Sequence, residues 1–408
     1  MLDDVRVLEV SAPETMLAGR ILADLGADVI VVEPPGGAQG RRLDPFIDNI
    51  PGLERSLTWH ALNNNKRSIT LDLTHPDGRD LFATIARKFD VALETIAPND
   101  VAPLADLKLD EKLIRCSISP FARIGPKSNY AASDLVVMAA SGAPSMSGDA
   151  DRPPVFFPVP QAMMEAGAEA AIAALASLAA RDVDALGQHA EVSARIAAMT
   201  SAFVVPIQIA SGNRGMSREQ AQITIAGVKL PNIFECKDGY VSVPFAFGPA
   251  FGPMTQRLAK WAADEGHLAE EVAALNWPSF PGDLAKGKAS AADLDALVKG
   301  VHSLLLSKTK VQIDEMSRRL SLLTSATLGM DDIAQSEQYR ARGLFTRLKI
   351  RAADREIDAP ARFAQFSNYS IETRRPAPTL SEHTCEILSV EAGLSSSEIQ
   401  ALFVHGII

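Results

Sequence analysis

The chain is poor in cysteine. Cys116, Cys236 and Cys385 are odd in number, far apart and without CxxC spacing. Such a set supports neither a disulfide framework nor a zinc site, and it fits a reducing compartment, so a cytoplasmic location is expected. The seven histidines form no HxxxH or HExxH, so no metal site is expected either. No GxSxG marks a serine nucleophile. A dinucleotide fingerprint is missing as well: the loop Ser11-Ala12-Pro13-Glu14-Thr15 contains no glycine. Without those glycines, Glu33 reads as a strand-end carboxylate rather than a ribose ligand. Positive charge is not in excess. Forty Lys and Arg face fifty Asp and Glu, a net charge of −10, which excludes a protein held on nucleic acid by phosphate neutralisation. No apolar run reaches the ~20 residues of a membrane span. The longest helical one, Ala170 to Ala180, lies between Glu169 and Arg181 and reads as a buried core helix. Met1-Leu2-Asp3-Asp4 leads straight into an apolar strand, which disfavours a signal peptide.

What remains is globular. The 408 residues are 47% hydrophobic and 22% charged, enough for two or three domains. Val5 to Glu9 reads as a buried strand, Thr15 to Leu25 as a helix, and the β-branched run Asp28 to Glu33 as a second strand cut off by Pro34-Pro35-Gly36-Gly37. That is one βαβ unit. Ile69 to Leu73, Gly78 to Phe89 and Val91 to Glu94 repeat the pattern, and Cys116 to Ser119 reads as a further strand. A doubly wound, mostly parallel sheet is predicted. Gln161 to Arg181 reads as a long helix and Gln188 to Ser193 as a short extended piece. Ser211-Gly212-Asn213-Arg214-Gly215 marks a domain exit. Phe234 to Pro244 reads as a hairpin around Lys237-Asp238-Gly239, and amphipathic helices follow to about Leu320. Two helices close the chain, Ser381 to Ser389 and Ser395 to Leu402.

One polar segment stands out. Asn63-Asn64-Asn65-Lys66-Arg67-Ser68 places amide donors and two cations just before a strand, a composition suited to phosphate oxygens or to a solvated loop. Its neighbours sharpen the reading. Leu25-Gly26-Ala27-Asp28-Val29-Ile30-Val31-Val32-Glu33-Pro34-Pro35-Gly36 precedes it, with Arg41 soon after, and Lys66-Arg67-Ser68-Ile69-Thr70-Leu71-Asp72-Leu73 follows. Further on come Gly125-Pro126, Ser141-Gly142, Arg152-Pro153-Pro154 and Gly187-Gln188-His189-Ala190-Glu191-Val192-Ser193. Arg340-Ala341-Arg342-Gly343-Leu344-Phe345 and Glu382-His383-Thr384-Cys385-Glu386-Ile387-Leu388 complete the series. In this order, over nearly the whole chain, the blocks resemble the class III CoA-transferases, which include formyl-CoA transferases, carnitine CoA-transferases and α-methylacyl-CoA racemases.

The resemblance implies an α/β fold. A Rossmann-like doubly wound large domain (residues 1–212) is followed by a smaller α+β domain (213–324), and a return segment (325–408) completes the large domain. It implies an interlocked dimer, homomeric or with a homologous subunit, and coenzyme A or an acyl-CoA as substrate beside a carboxylic acid. By position it sets Pro13 and Glu14 in the first CoA-binding loop and Arg41 in the second. Asn65 and Lys66 fall near phosphates, Leu71 beside the adenine, and Thr95 and Ile96 near the pantetheine arm. The nucleophile of such enzymes is an aspartate four residues before the glycine that opens the central helix. It forms an acyl anhydride and then an aspartyl-CoA thioester, chemistry that needs a carboxylate. Here the glycine is Gly167 and the aspartate position is Met163. Glu165 is the nearest carboxylate, about 200° around a regular helix from Met163. The Gly-Pro usual after the first strand reads Thr15-Met16, and the Pro-Gly usual after the fourth reads Pro98-Asn99. The racemase branch has a histidine before an Asp where this chain has Ala132-Ser133-Asp134, so racemisation is not expected. Three readings follow: a non-nucleophilic subunit paired with a catalytic paralogue, a self-sufficient transferase using Glu165, and a nicotinamide-dependent oxidoreductase.

Overall fold

A computed structural model describes residues 1–96, 104, 106–149, 151–200, 204–212 and 222–408. The Pro98-Asn99 pair and Asn213 to Gly215 lie outside the described residues.

Two compact units are present. The larger comprises 1–145, 156–215 and 338–408, and the smaller comprises 146–155 and 216–337. The large unit is built on six strands: β1 (Arg6–Val10), β2 (Asp28–Glu33), β3 (Lys66–Thr70), β4 (Val91–Thr95), β5 (Ile114–Ser119) and β6 (His189–Ser193). All neighbours pair in parallel, in the order β3-β2-β1-β4-β5-β6. A parallel sheet is covered on both faces, which is why β2 is apolar over four consecutive residues, Val29 to Val32, rather than alternating. One face is covered by α1 (Met16–Asp24) and α5 (Ala162–Asp184), the other by α3 (Pro76–Ala86) and the closing helices Thr384–Ala392 and Ser396–Val404. The helices α2 (Leu57–Leu62) and α4 (Asp134–Ser141) lie between these in sequence. This is the doubly wound strand order whose ligand crevice opens outside the carboxyl ends of β1 and β4, where the winding reverses direction.

By length and composition α5 is the one described helix that could cross a bilayer. In this fold Ala166, Ala170, Ala171, Ala174 and Leu178 are buried in the core beside α1, β5 and β6. Small side chains let it approach closely: a Cβ on Gly167 would stand 3.0 Å from Leu17 Cβ and 3.2 Å from the Glu14 carbonyl.

The small unit has its own core. Phe234, Trp261, Trp277 and Phe280 pack with Leu294, Leu297 and Val301 from helix Ala291–Leu306. The expected hairpin forms as Ile233–Cys236 with Gly239–Ser242. The expected return of the chain at 325 is corrected here. Ser325–Thr327 adds antiparallel to the hairpin as a third strand, so the small unit continues to Glu337. The segment 146–155 also clusters with the small unit rather than with its sequence neighbours.

Candidate active site

The site is assembled from loops at the carboxyl ends of the strands. The first loop, after β1, is closed on itself: the Ala12 amide donates to Thr15 Oγ1 (3.2 Å) and the Thr15 amide to the Ala12 carbonyl (3.1 Å). In this glycine-free turn the Thr15 hydroxyl takes the Ala12 amide, and Met16 is fully buried behind it against Val31, Ala38 and Trp59. The turn delivers Glu14 to a small cavity of about 30 Å³. The cavity is also walled by Thr95 at the end of β4, Ser119 at the end of β5 and Pro120 after it, Asp134 of α4 and Met163 of α5.

Asp134 organises the far wall. The first residue before α5, Gln161, makes no side-chain cap. Asp134 replaces it, accepting the amides of Gln161 (3.2 Å) and Met163 (3.0 Å). A carboxylate suits the positive end of a long helix. Burial pushes the Glu14 carboxyl up from its ordinary range, the Asp134 charge adds to the rise, and Thr95 opposes it. Thr95 lies near enough for that effect, although its Oγ1 meets no partner at full hydrogen-bond geometry among the described residues. Ser11 Oγ after β1 and Ser193 Oγ at the end of β6 are likewise buried without a partner among the described residues. Three orphaned hydroxyls at the same edge of one sheet mark it as a place where a ligand would supply the missing bonds.

Glu165 does not line this cavity. Its Oε2 is buried without a hydrogen-bond partner among the described residues. Burial pushes its carboxyl up, with Asp134 and Glu169 adding to the effect. Pro13 is half-buried in the first loop beside Glu14, and the Ile96 amide donates to Ile118 O (2.8 Å).

The predicted phosphate loop has a different environment from the one its composition suggests. Lys66 is fully buried, and its ammonium donates to Glu9 Oε2 (2.7 Å), Met16 O (2.9 Å) and Asn63 Oδ1 (2.9 Å). All three of its hydrogens are thereby used. Burial pushes Lys66 down and Glu9 up, and their mutual contact opposes both shifts. Asn65, at φ +66°, donates to Asp24 Oδ1 (2.7 Å) and accepts from the Arg374 amide (2.7 Å). Arg41 is also fully buried. Its guanidinium lies 4.0 Å from the Trp59 ring centroid and bonds Glu33 through Nε (2.6 Å) and Nη2 (2.8 Å), Glu54 (3.0 Å) and Pro378 O (3.1 Å). Leu71 is buried in the core with Ile69 and Phe82. As arranged, the side chains of Arg41, Lys66, Asn65 and Leu71 hold the fold together. Glu33 accepts from Arg41, Ser68 and the Ala38 amide, as a strand-end carboxylate does and a ribose ligand would not.

The sequence matches CoA-transferase family III over residues 2–384, and the chain belongs to that family. It is 28% identical to the succinyl-CoA:(R)-benzylsuccinate CoA-transferase subunit BbsE of Thauera aromatica, covering 98% of this chain and 96% of that one. It is 27% identical to a succinate–glutarate CoA-transferase of Agrobacterium fabrum, over 91% of this chain and 90% of the relative. A solved CAIB/BAIF family protein of Brucella suis superposes with TM-score 0.76 at 24% identity over 96% of this chain and 99% of the other, which is a likeness of fold. CoA-transferase chemistry is thus supported, and the oxidoreductase reading is not: no relative named here is a dehydrogenase, and Glu33 is fully occupied.

Proposed function

We propose that this chain is a cytoplasmic subunit of a CoA-transferase that moves CoA between an acyl-CoA and a carboxylic acid. In this reading it is the non-nucleophilic partner of a homologous catalytic chain, the two forming an interlocked dimer. The observation that carries the proposal is Met163. It lies in the cavity wall at the start of α5, where the resemblance sets a nucleophilic aspartate, and a thioether cannot form an anhydride or a thioester. The relative BbsE is itself named as a subunit, which favours an assembly of unlike chains. A chain without the nucleophile still completes a site shared between two subunits.

A second reading rests on Glu165, whose buried, unpartnered oxygen and raised proton affinity are the marks of a carboxyl held for chemistry. In it the chain is a homodimeric transferase and Glu165 is the nucleophile. Native mass spectrometry of the protein from its source, followed by transfer assays, separates the two. The expected result is a co-purifying homologous polypeptide and transfer only in the mixed assembly, little changed by Glu165→Gln. Robust transfer by the chain alone, abolished by Glu165→Gln, overturns the paired reading.

A further inference from the structure

A groove of about 490 Å³ between α3 and the last helix, Ser396–Val404, plays no part in either reading. Each helix turns one face to it. On α3, Asp77, Asp80, Leu81 and Thr84 stand at i, i+3, i+4 and i+7. On the last helix and its C-cap, Glu398, Ala401, Leu402 and His405 repeat that spacing. The floor is apolar: Leu81, Leu394 and Leu402 pack on the core of the large unit and are only half-covered by it. On the two closing helices Val390, Phe403 and Val404 are 65%, 71% and 72% exposed. An apolar surface with a polar rim is the form that interaction sites take.

The rim is acidic. Asp77, Asp80 and Glu398 are all exposed. Ser395 holds the Glu398 carboxyl below its ordinary range through its hydroxyl (2.6 Å) and amide (2.7 Å). Among the described residues none of the three is paired with a Lys or Arg. Asp77 has only His75, at 3.8 Å, and that ring nitrogen accepts the Asp77 amide. Helix ends account for the places of Asp77 and Glu398. They do not account for Asp80, which lies beyond the first turn. Nor do they explain why no Lys or Arg lines the groove.

These features select an occupant. The negative rim repels coenzyme A, nucleic acid and anionic lipid. No lining residue belongs to a strand, so an extended peptide would find no edge to pair with. Two helical walls instead receive a third helix, seated by apolar side chains one turn apart. We propose that this groove docks an amphipathic helix of a partner protein, with aliphatic side chains on the seated face and Lys or Arg along its borders. The groove shares no lining residue with the cavity at the start of α5, so this docking is a function additional to CoA transfer.

The test is fluorescence anisotropy on the assembled protein with a synthetic helical peptide, leucine on one face and lysine along both borders. A second peptide carries glutamate in place of lysine. The lysine peptide is expected to bind at least roughly tenfold tighter than the glutamate one, because like charges across an interface are costly. Asp80→Lys and Ala401→Arg alter exposed positions on different helices, so one remains informative if the other fails to fold. Each should weaken the lysine peptide by roughly tenfold or more. Glu271→Lys makes the same change of net charge as Asp80→Lys on the exposed surface of the small unit, and should leave the affinity unchanged. No binding, equal binding of the two peptides, or equal weakening by Glu271→Lys overturns the proposal. Dissociation of the protein's own assembly by Ala401→Arg, seen in sedimentation, would put a second copy of this chain in the groove and overturn it as well.

Discussion

At the scale of single residues, the large unit is held by ion pairs that water does not reach. Glu9 and Lys66 are both fully buried, 57 residues apart in sequence and 2.7 Å apart in space. Removing one partner of such a pair leaves an uncompensated charge and costs about 3–5 kcal/mol. Lys66→Met is therefore expected to lower the midpoint of urea unfolding sharply, and Lys66→Met with Glu9→Gln to recover part of the loss. Recovery that fails to appear in that double-mutant cycle would mean the two groups are not coupled. Gly19 belongs to the same unit of structure. A Cβ there would lie 1.8 Å from Glu9 Oε2 and 3.0 Å from Lys66 Nζ, so Gly19→Ala should destabilise despite its better helix propensity. This pair also explains why the segment Asn63 to Ser68 was only partly legible in the sequence. Charged residues are rarely buried, so a run with two cations reads as surface. Its true partner, Glu9, lies in another strand, and local pattern carries no trace of it. The expected strand Ile69 to Leu73 is accordingly found earlier, at Lys66–Thr70, because the buried polar residues belong to the strand.

At the scale of elements, most of the sheet could be read directly. β1, β2 and β4 carry mostly β-branched or aliphatic residues, and Pro34-Pro35-Gly36-Gly37 ends β2 where expected. The long helix was legible from its alanines, but the partner of its first amides was not. Asp134, which caps it, lies 27 and 29 residues upstream of the amides it accepts. Gly167 was legible as a landmark and not as a contact. Its role is the close meeting of α5 with the first loop. Alanine is normally better than glycine inside a helix by about 1 kcal/mol. At this position the new methyl would press on Leu17 Cβ and the Glu14 carbonyl at 3.0 and 3.2 Å. Gly167→Ala should therefore give no gain in thermal stability, and Gly167→Val should lower it by several degrees. An increase in melting temperature for Gly167→Ala, measured by differential scanning calorimetry, would show that the loop yields freely.

At the scale of the whole molecule, the chain leaves the large unit and comes back. Asn65 accepts the amides of Arg374 and Arg375, and Pro378 O takes bonds from both Arg41 and Trp59 Nε1. The Asp72 amide donates to Ile407 O (2.7 Å). The residues after Glu337 are thus bonded into the large unit, while the small unit keeps its core to itself. A chain ended at Glu337 is expected to lose the large unit's cooperative unfolding and its protease resistance. Limited proteolysis should then yield a protected fragment within 222–337. A fully resistant truncated chain would contradict this. Thiol labelling offers a second view of the same opening. Cys385 is exposed and should react at once. Cys116 is completely buried, and burial pushes its thiol up to about 12, so it should label only as the large unit opens.

The outer edge of β3 is sealed from within the same chain. The Ser68 amide donates to His383 Nδ1 (3.3 Å), the His383 amide returns a bond to Ser68 O (3.0 Å), and the Thr70 amide donates to Thr384 Oγ1 (3.0 Å). The strand and its cover are 315 residues apart. During synthesis at roughly 5–20 residues per second, that separation amounts to about 16–63 s in which a finished β-edge has nothing on it. A bare edge is a template for pairing with another chain. The nascent protein therefore passes through a window in which its own central sheet is its main aggregation hazard. Slow codons or a stalled ribosome before His383 would lengthen that window, and a chaperone that binds exposed strands on ribosome-bound chains would shorten its effect.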